Sequence, residues 1–127
     1  MPVRSNDDVV RARQSVRVLA QRCGLSLVDQ TKLVTAASEL ARNTLVYGGG
    51  GTLRAGLVRQ GARLGVRAVF EDHGPGIPDV ELALTDGWTS GSGLGLGLSG
   101  ARRLVDDFEL DTEAGRGTLV SVTKWAR

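Results

Sequence analysis

The sequence predicts an α+β fold, a two-layer sandwich in which a mixed, mostly antiparallel sheet carries helices on one face. Three observations lead there. Apolar residues recur at helical spacing in three segments; two pairs of short alternating segments flank glycine-bearing turns, as hairpins do; and 127 residues suit one domain, 1–127, around a single core. The 16 Lys and Arg nearly balance the 14 Asp and Glu, which calls for neither nucleic acid nor a membrane surface as partner. No run reaches the length of a membrane span, and Met1-Pro2-Val3-Arg4-Ser5-Asn6-Asp7-Asp8 has no apolar signal-peptide core, so the expected location is cytoplasmic. The lone cysteine, Cys23, excludes an internal disulfide and any multi-cysteine metal site, and its place on an apolar stripe makes it a core residue.

Residues 2–5 are expected to form a short edge strand, with Asn6 or Asp7 capping the helix that follows. Val9, Ala12, Val16, Leu19, Ala20 and Cys23 form that helix's apolar stripe, and Gly24 ends it. Arg11, Arg13, Arg17 and Arg22 occupy the other face, either solvated or available to an acidic protein. Ser26 with Asp29 resembles a capping box and opens a second helix reaching about Val46, whose buried stripe is Leu33, Ala36, Ala37, Leu40 and Thr44. Four glycines, Gly48 to Gly51, then break the helix. Residues 52–58 and 64–72 read as a hairpin around Gln60-Gly61-Ala62-Arg63. Residues 79–85 are expected to make one or two helical turns, and the polar, glycine-dense stretch 86–95 a loop or lid. From Leu96 a third helix carries Leu98, Ala101, Leu104, Val105 and Phe108, and residues 109–113 and 118–125 close the chain as a hairpin around Ala114-Gly115-Arg116-Gly117.

The chemistry centres on Phe70-Glu71-Asp72-His73-Gly74-Pro75-Gly76-Ile77-Pro78. Leu64, Val66, Ala68 and Phe70 line one strand face at period two, and Asp72 comes next on it. A carboxylate at the edge of a core needs hydrogen-bond donors. Gly74 and Gly76 leave the main chain bare beside it, so a flat heteroaromatic amine fits; the alternative is that Asp72 merely caps a turn. Gly91-Ser92-Gly93-Leu94-Gly95-Leu96-Gly97 leads into a helix, and successive bare N–H groups at a helix start suit phosphate oxygens. Gly95, Gly97 and Gly100 match a dinucleotide pattern, but no strand immediately precedes them, and no phosphate-loop lysine motif is present. Glu39 and Asn43, four apart, share a helix face beside the apolar stripe. The Asn43 amide can supply one oxygen to a magnesium ion held mainly by phosphates, and Glu39, a turn away, can deprotonate an attacking hydroxyl.

Three ordered blocks, Glu39-Leu40-Ala41-Arg42-Asn43, the Asp72 loop, and Gly93-Leu94-Gly95-Leu96-Gly97-Leu98, resemble the GHKL ATPases with the Bergerat fold, the superfamily of gyrase, Hsp90, histidine kinases and MutL. The short length, Arg102-Arg103-Leu104-Val105-Asp106 and the ending from Gly117-Thr118 to Lys124-Trp125 are most similar to the small bacterial serine/threonine kinases of the anti-sigma-factor class, the stressosome switch kinases among them. The resemblance implies ATP and Mg2+ as cofactors, Glu39 as general base and Asn43 as metal ligand. It further implies Asp72 as partner of the adenine amino group, Gly74, Gly76 and Ile77 as shapers of the adenine pocket, Gly93, Leu94, Gly95, Gly97 and Leu98 as the phosphate lid, and Thr118 as a further adenine contact. Departures from the pattern are the short first strand and Ser99, where close relatives often have proline. The implied activity is phosphorylation of a serine or threonine on a STAS-domain antagonist protein with partner switching, the released kinase then binding a PP2C-type phosphatase. The alternatives are an anti-sigma factor that sequesters a sigma factor, and a nucleotide-gated binding module with little catalysis.

Overall fold

The computed structural model describes residues 1–77, 84 and 96–127. In chain order the elements are β1 (Pro2–Val3), α1 (Asn6–Arg22), α2 (Leu27–Val46), β2 (Gly51–Gln60), β3 (Arg63–Asp72), α3 (Leu96–Leu104), β4 (Asp107–Glu113) and β5 (Gly117–Trp125). The strands form one sheet in the order β1-β2-β3-β5-β4. All four pairings are antiparallel, so the sheet described is antiparallel throughout and not mixed. The reason is local: β2–β3 and β4–β5 are tight hairpins that close on Gln60↔Arg63 and Glu113↔Gly117, and β3 meets β5 in the same sense.

The three helices among the described residues cover one face. Val66, Ala68 and Phe70 of β3, with Val120 and Val122 of β5, point into the core and meet Val16 and Ala20 of α1 and Leu33, Ala37, Leu40 and Ala41 of α2, all buried. Small residues on α2 let it lie close to the sheet, as its stripe predicts. The other face carries Arg54, Arg67, Asp107, Glu109 and Asp111, all exposed. Acidic side chains at every second position of β4 keep this edge strand from recruiting another strand. Among the described residues no helix is long and apolar enough to cross a membrane.

Two local expectations are corrected. The cap of α1 is Ser5, not Asn6 or Asp7: its backbone is extended and its Oγ accepts from the Asp8 N–H at 3.2 Å, while Asn6 and Asp7 are already helical. The third helix stops at Leu104, and Phe108 belongs to β4, opposite Val122. Phe108, Leu110 and Thr112 also alternate at period two, and the ladder to β5 decided between the two periods. The expected helical turns over 79–85, Leu84 apart, and the expected loop or lid over 86–95, with Trp88, lie outside the described residues, as does Pro78.

Candidate functional site

At one end of the sheet, β3 and β5 run out side by side with Asp72 directly opposite Thr118. Asp72 Oδ1 accepts from the Gly74 N–H at 2.9 Å, so the acid does cap a turn. Its Oδ2 has no partner among the described residues and faces Gly48, just past α2; a methyl group there would lie 2.6 Å from that oxygen. Gly74 in turn packs on the Cα of Gly48. Glycine at 48 is therefore required by the approach of a carboxylate, beyond its role in ending the helix.

The loop after Asp72 is held by the β4–β5 hairpin. The Gly115 N–H donates to the Pro75 carbonyl at 2.9 Å, and the Ile77 N–H donates to Thr112 Oγ1 at 2.9 Å. Thr112 Oγ1 lies 2.9 Å from Thr118 Oγ1, the residue it faces across the hairpin. Gly76 has φ +78 and presses on the Glu113 carbonyl group, where a side chain would collide with backbone.

These elements meet around a cleft that opens to solvent at the end of the sheet. Asn43, Thr44 and Tyr47 from the end of α2 form one wall; Asp72, Gly76, Ile77, Thr118 and Leu98 of α3 form the rest, over a floor of Leu40, Phe70 and Val120. The lining is mostly apolar, and the Asp72 carboxylate is its one acidic group among the described residues. A planar heterocycle bearing an amino group suits both features.

Of the residues singled out in the sequence, Asn43, Asp72, Gly76, Ile77, Leu98 and Thr118 thus line one cleft. Gly74 stands behind Asp72 against Gly48, and Gly97 is the second residue of α3. Glu39 does not line the cleft. It sits one turn before Asn43 on α2, roughly 6 Å along the axis, in a depression shared with Arg13 and Arg17 of α1. Gly93, Leu94 and Gly95 lie outside the described residues. Sequence reasoning missed Gly48, Tyr47 and Thr112. For Thr112 a signal existed, since closing the second hairpin puts it opposite Thr118.

Residues 28–126 match the family described as histidine kinase-, DNA gyrase B- and HSP90-like ATPase. The serine/threonine-protein kinase RsbT of Bacillus subtilis (strain 168) is 43% identical over 120 residues, covering 94% of this chain and 90% of that protein. An anti-sigma F factor of Clostridium beijerinckii is 28% identical over 128 residues, covering 96% of this chain and 89% of the relative. One from Thermoanaerobacter sp. (strain X514) is 27% identical over 122 residues, covering 90% and 82%. Among solved structures the mycobacterial sensor histidine kinase MprB superposes with a TM-score of 0.61 at 20% identity, covering 100% of this chain and 97% of that one, a likeness of fold alone.

Proposed function

Because the chain belongs to the histidine kinase-, DNA gyrase B- and HSP90-like ATPase family, and a serine/threonine-protein kinase matches it along nearly its whole length, we propose that it phosphorylates a STAS-domain antagonist protein and acts by partner switching. It is an ATP-using protein serine/threonine kinase. The further proposals are that Mg2+ accompanies ATP, that residues 1–127 act as one kinase domain in the cytoplasm, and that a PP2C-type phosphatase is the partner bound once the substrate is phosphorylated.

The observation that carries the reading is the cleft at the end of β3 and β5. Asp72 commits one carboxylate oxygen to the Gly74 N–H and has the other to accept from an adenine amino group, while Gly48 and Gly76 let the Asp72 side chain and the β4–β5 hairpin pack closely at the rim. Thr118, bonded to Thr112, holds the far side. Asn43 offers a single amide oxygen from the cleft wall, a donor set that fits magnesium held chiefly by phosphates. When bound, that ion would neutralise charge on the transferring phosphate. Glu39, a turn away, takes the proton of the substrate hydroxyl as its oxygen bonds to the γ-phosphorus and the bond to the leaving ADP oxygen breaks.

The test is transfer of labelled γ-phosphate from ATP with magnesium to STAS-domain proteins of the same genome, beside Glu39→Ala. Labelling of one such protein on serine or threonine, lost in the variant, is the expected result. Equal labelling by Glu39→Ala would remove Glu39 from its role; no labelling despite ATP binding would favour a nucleotide-gated binding module. A second reading, sequestration of a sigma factor, is favoured by the relatives named anti-sigma F factor. Capture of a sigma subunit in the presence of ATP, with no phosphatase bound, would select it.

A further inference from the structure

We propose that the groove between α1 and α2 receives an acidic segment of the protein substrate and leads its acceptor hydroxyl to Glu39. The proposal rests on the kinase reading of Glu39 given above. Glu39 lies outside the nucleotide cleft, in an open depression that it shares with Arg13, Arg17, Thr31, Thr35 and Ser38 over the buried Val34. A hydroxyl that is to lose its proton to Glu39 has this depression as its approach from the side away from the cleft. Whatever lies in it meets the two arginines.

The charge pattern selects the occupant. Arg13 and Arg17, four apart on α1, are both exposed and face one groove. Four other arginines are engaged, Arg11 with Asp8, Arg116 with Glu113, Arg127 with Asp106 and Arg67 with Ser121, and what sets Arg13 and Arg17 apart from the remaining ones is that they share a depression with Glu39. Arg13 and Arg17 have no hydrogen bond or ion pair among the described residues. Two free guanidiniums against one carboxylate leave the groove positive, and Thr35 and Ser38 add hydroxyls along its wall, while the Thr31 hydroxyl donates to the Leu27 carbonyl at 3.0 Å. Guanidinium forks match carboxylates, so glutamate or aspartate flanking the acceptor serine or threonine is the complementary chemistry. The same asymmetry sets direction. Glu39 repels acids at its own position, and the arginines hold them further along the groove, leaving the uncharged hydroxyl for the Glu39 end.

The test compares the wild-type chain with Arg13→Glu/Arg17→Glu and Arg13→Lys/Arg17→Lys, with melting temperatures confirming that each folds. The probe is the STAS-domain protein labelled in the transfer assay. Charge reversal is expected to raise its KM by about tenfold or more with kcat and ATP affinity unchanged, while the lysine pair, which keeps the charge, stays within about threefold. A KM within about twofold of wild type after reversal would overturn the proposal. Should the wild-type chain label no STAS-domain protein, the kinase reading falls, and anisotropy of a fluorescein-labelled peptide of glutamates around one serine decides the groove. Salt-sensitive binding that reversal abolishes upholds it; equal binding, or none, overturns it. Binding of a single-stranded oligonucleotide in place of the peptide would overturn it too.

Discussion

The two oxygens of Asp72 have different surroundings, and substitution can test a proposed ligand contact separately from the turn. Oδ1 ties down the Gly74 N–H, while Oδ2 lies beside Gly48 on a residue that lines the cleft. In Asp72→Asn the amide oxygen can still accept from Gly74, while an NH2 group confronts the ligand's own N–H donors. The variant is expected to fold with a melting temperature close to wild type and to bind ATP roughly 10- to 100-fold more weakly, the loss of one hydrogen bond to a charged group. Displacement of a fluorescent ATP analogue measures it; unchanged affinity would mean that Asp72 serves the turn alone. Gly48→Ala pushes a methyl into the Asp72 carboxylate and is expected to cost about 1–3 kcal/mol of stability together with ATP affinity. Gly56→Ala, with open space around it and no positive φ, is the control and is expected to be neutral or slightly stabilising. The contrast also shows what a sequence conveys. Asp72 was legible because period two put an acid on a core face, whereas the need for glycine at 48 arises from β3 passing behind α2, which no local pattern records.

At the scale of elements, the start of α1 is a small electrostatic device. The Asp8 carboxylate accepts from the Arg4 N–H at 2.9 Å and from Arg11 Nη1 at 3.0 Å, and its own N–H donates to Ser5 Oγ. The Arg4 N–H chiefly, helped by Arg11 and opposed by desolvation, holds the carboxyl below its ordinary value of 3.8. A carboxylate whose pKa is lower folded than unfolded stabilises the fold fully above the unfolded value and loses that contribution as pH falls through the folded one. The melting temperature of wild type is therefore expected to exceed that of Asp8→Asn at neutral pH, with the gap closing below about pH 4. A gap of equal size at pH 3 and pH 7 would show that the contact is not ionic. Elements were most legible where one signal dominated. Ser26 did open α2, its Oγ accepting from the Asp29 N–H at 3.1 Å, and the helix ends at Val46 as its glycines indicate. They were least legible where two periods overlapped, as at Phe108, or where adjacent residues competed for one cap, as at Ser5, Asn6 and Asp7.

Across the whole molecule, β5 links two ends with different duties. Thr118 stands at the cleft, and Lys124 lies six residues on, roughly 20 Å away along the strand. The far end is closed by charge: the buried Lys124 Nζ lies 3.7 Å from Asp29 at the start of α2 and 3.8 Å from Asp106 before β4. Asp106 also accepts from the Trp125 N–H at 2.8 Å and from Arg127 Nη2 at 2.6 Å. Three segments distant in sequence meet there, a juxtaposition invisible in the capping motif that first marked Asp29. Removing Asp106 leaves a buried ammonium with one long contact and a backbone N–H without its acceptor, so Asp106→Ala is expected to lower stability by about 1–3 kcal/mol. Lys124→Met removes the buried charge itself, keeps the stem's volume and leaves Arg127 to both acids; its effect is expected to stay within about 1 kcal/mol. Urea midpoints measure both. Because the clamp and the cleft occupy opposite ends of the strand, ATP affinity is expected to hold within about twofold in each, as for separated sites. A clamp variant that kept its midpoint but lost ATP would mean that β5 transmits between its ends, and the charge cluster would then belong to the switch and not only to the fold.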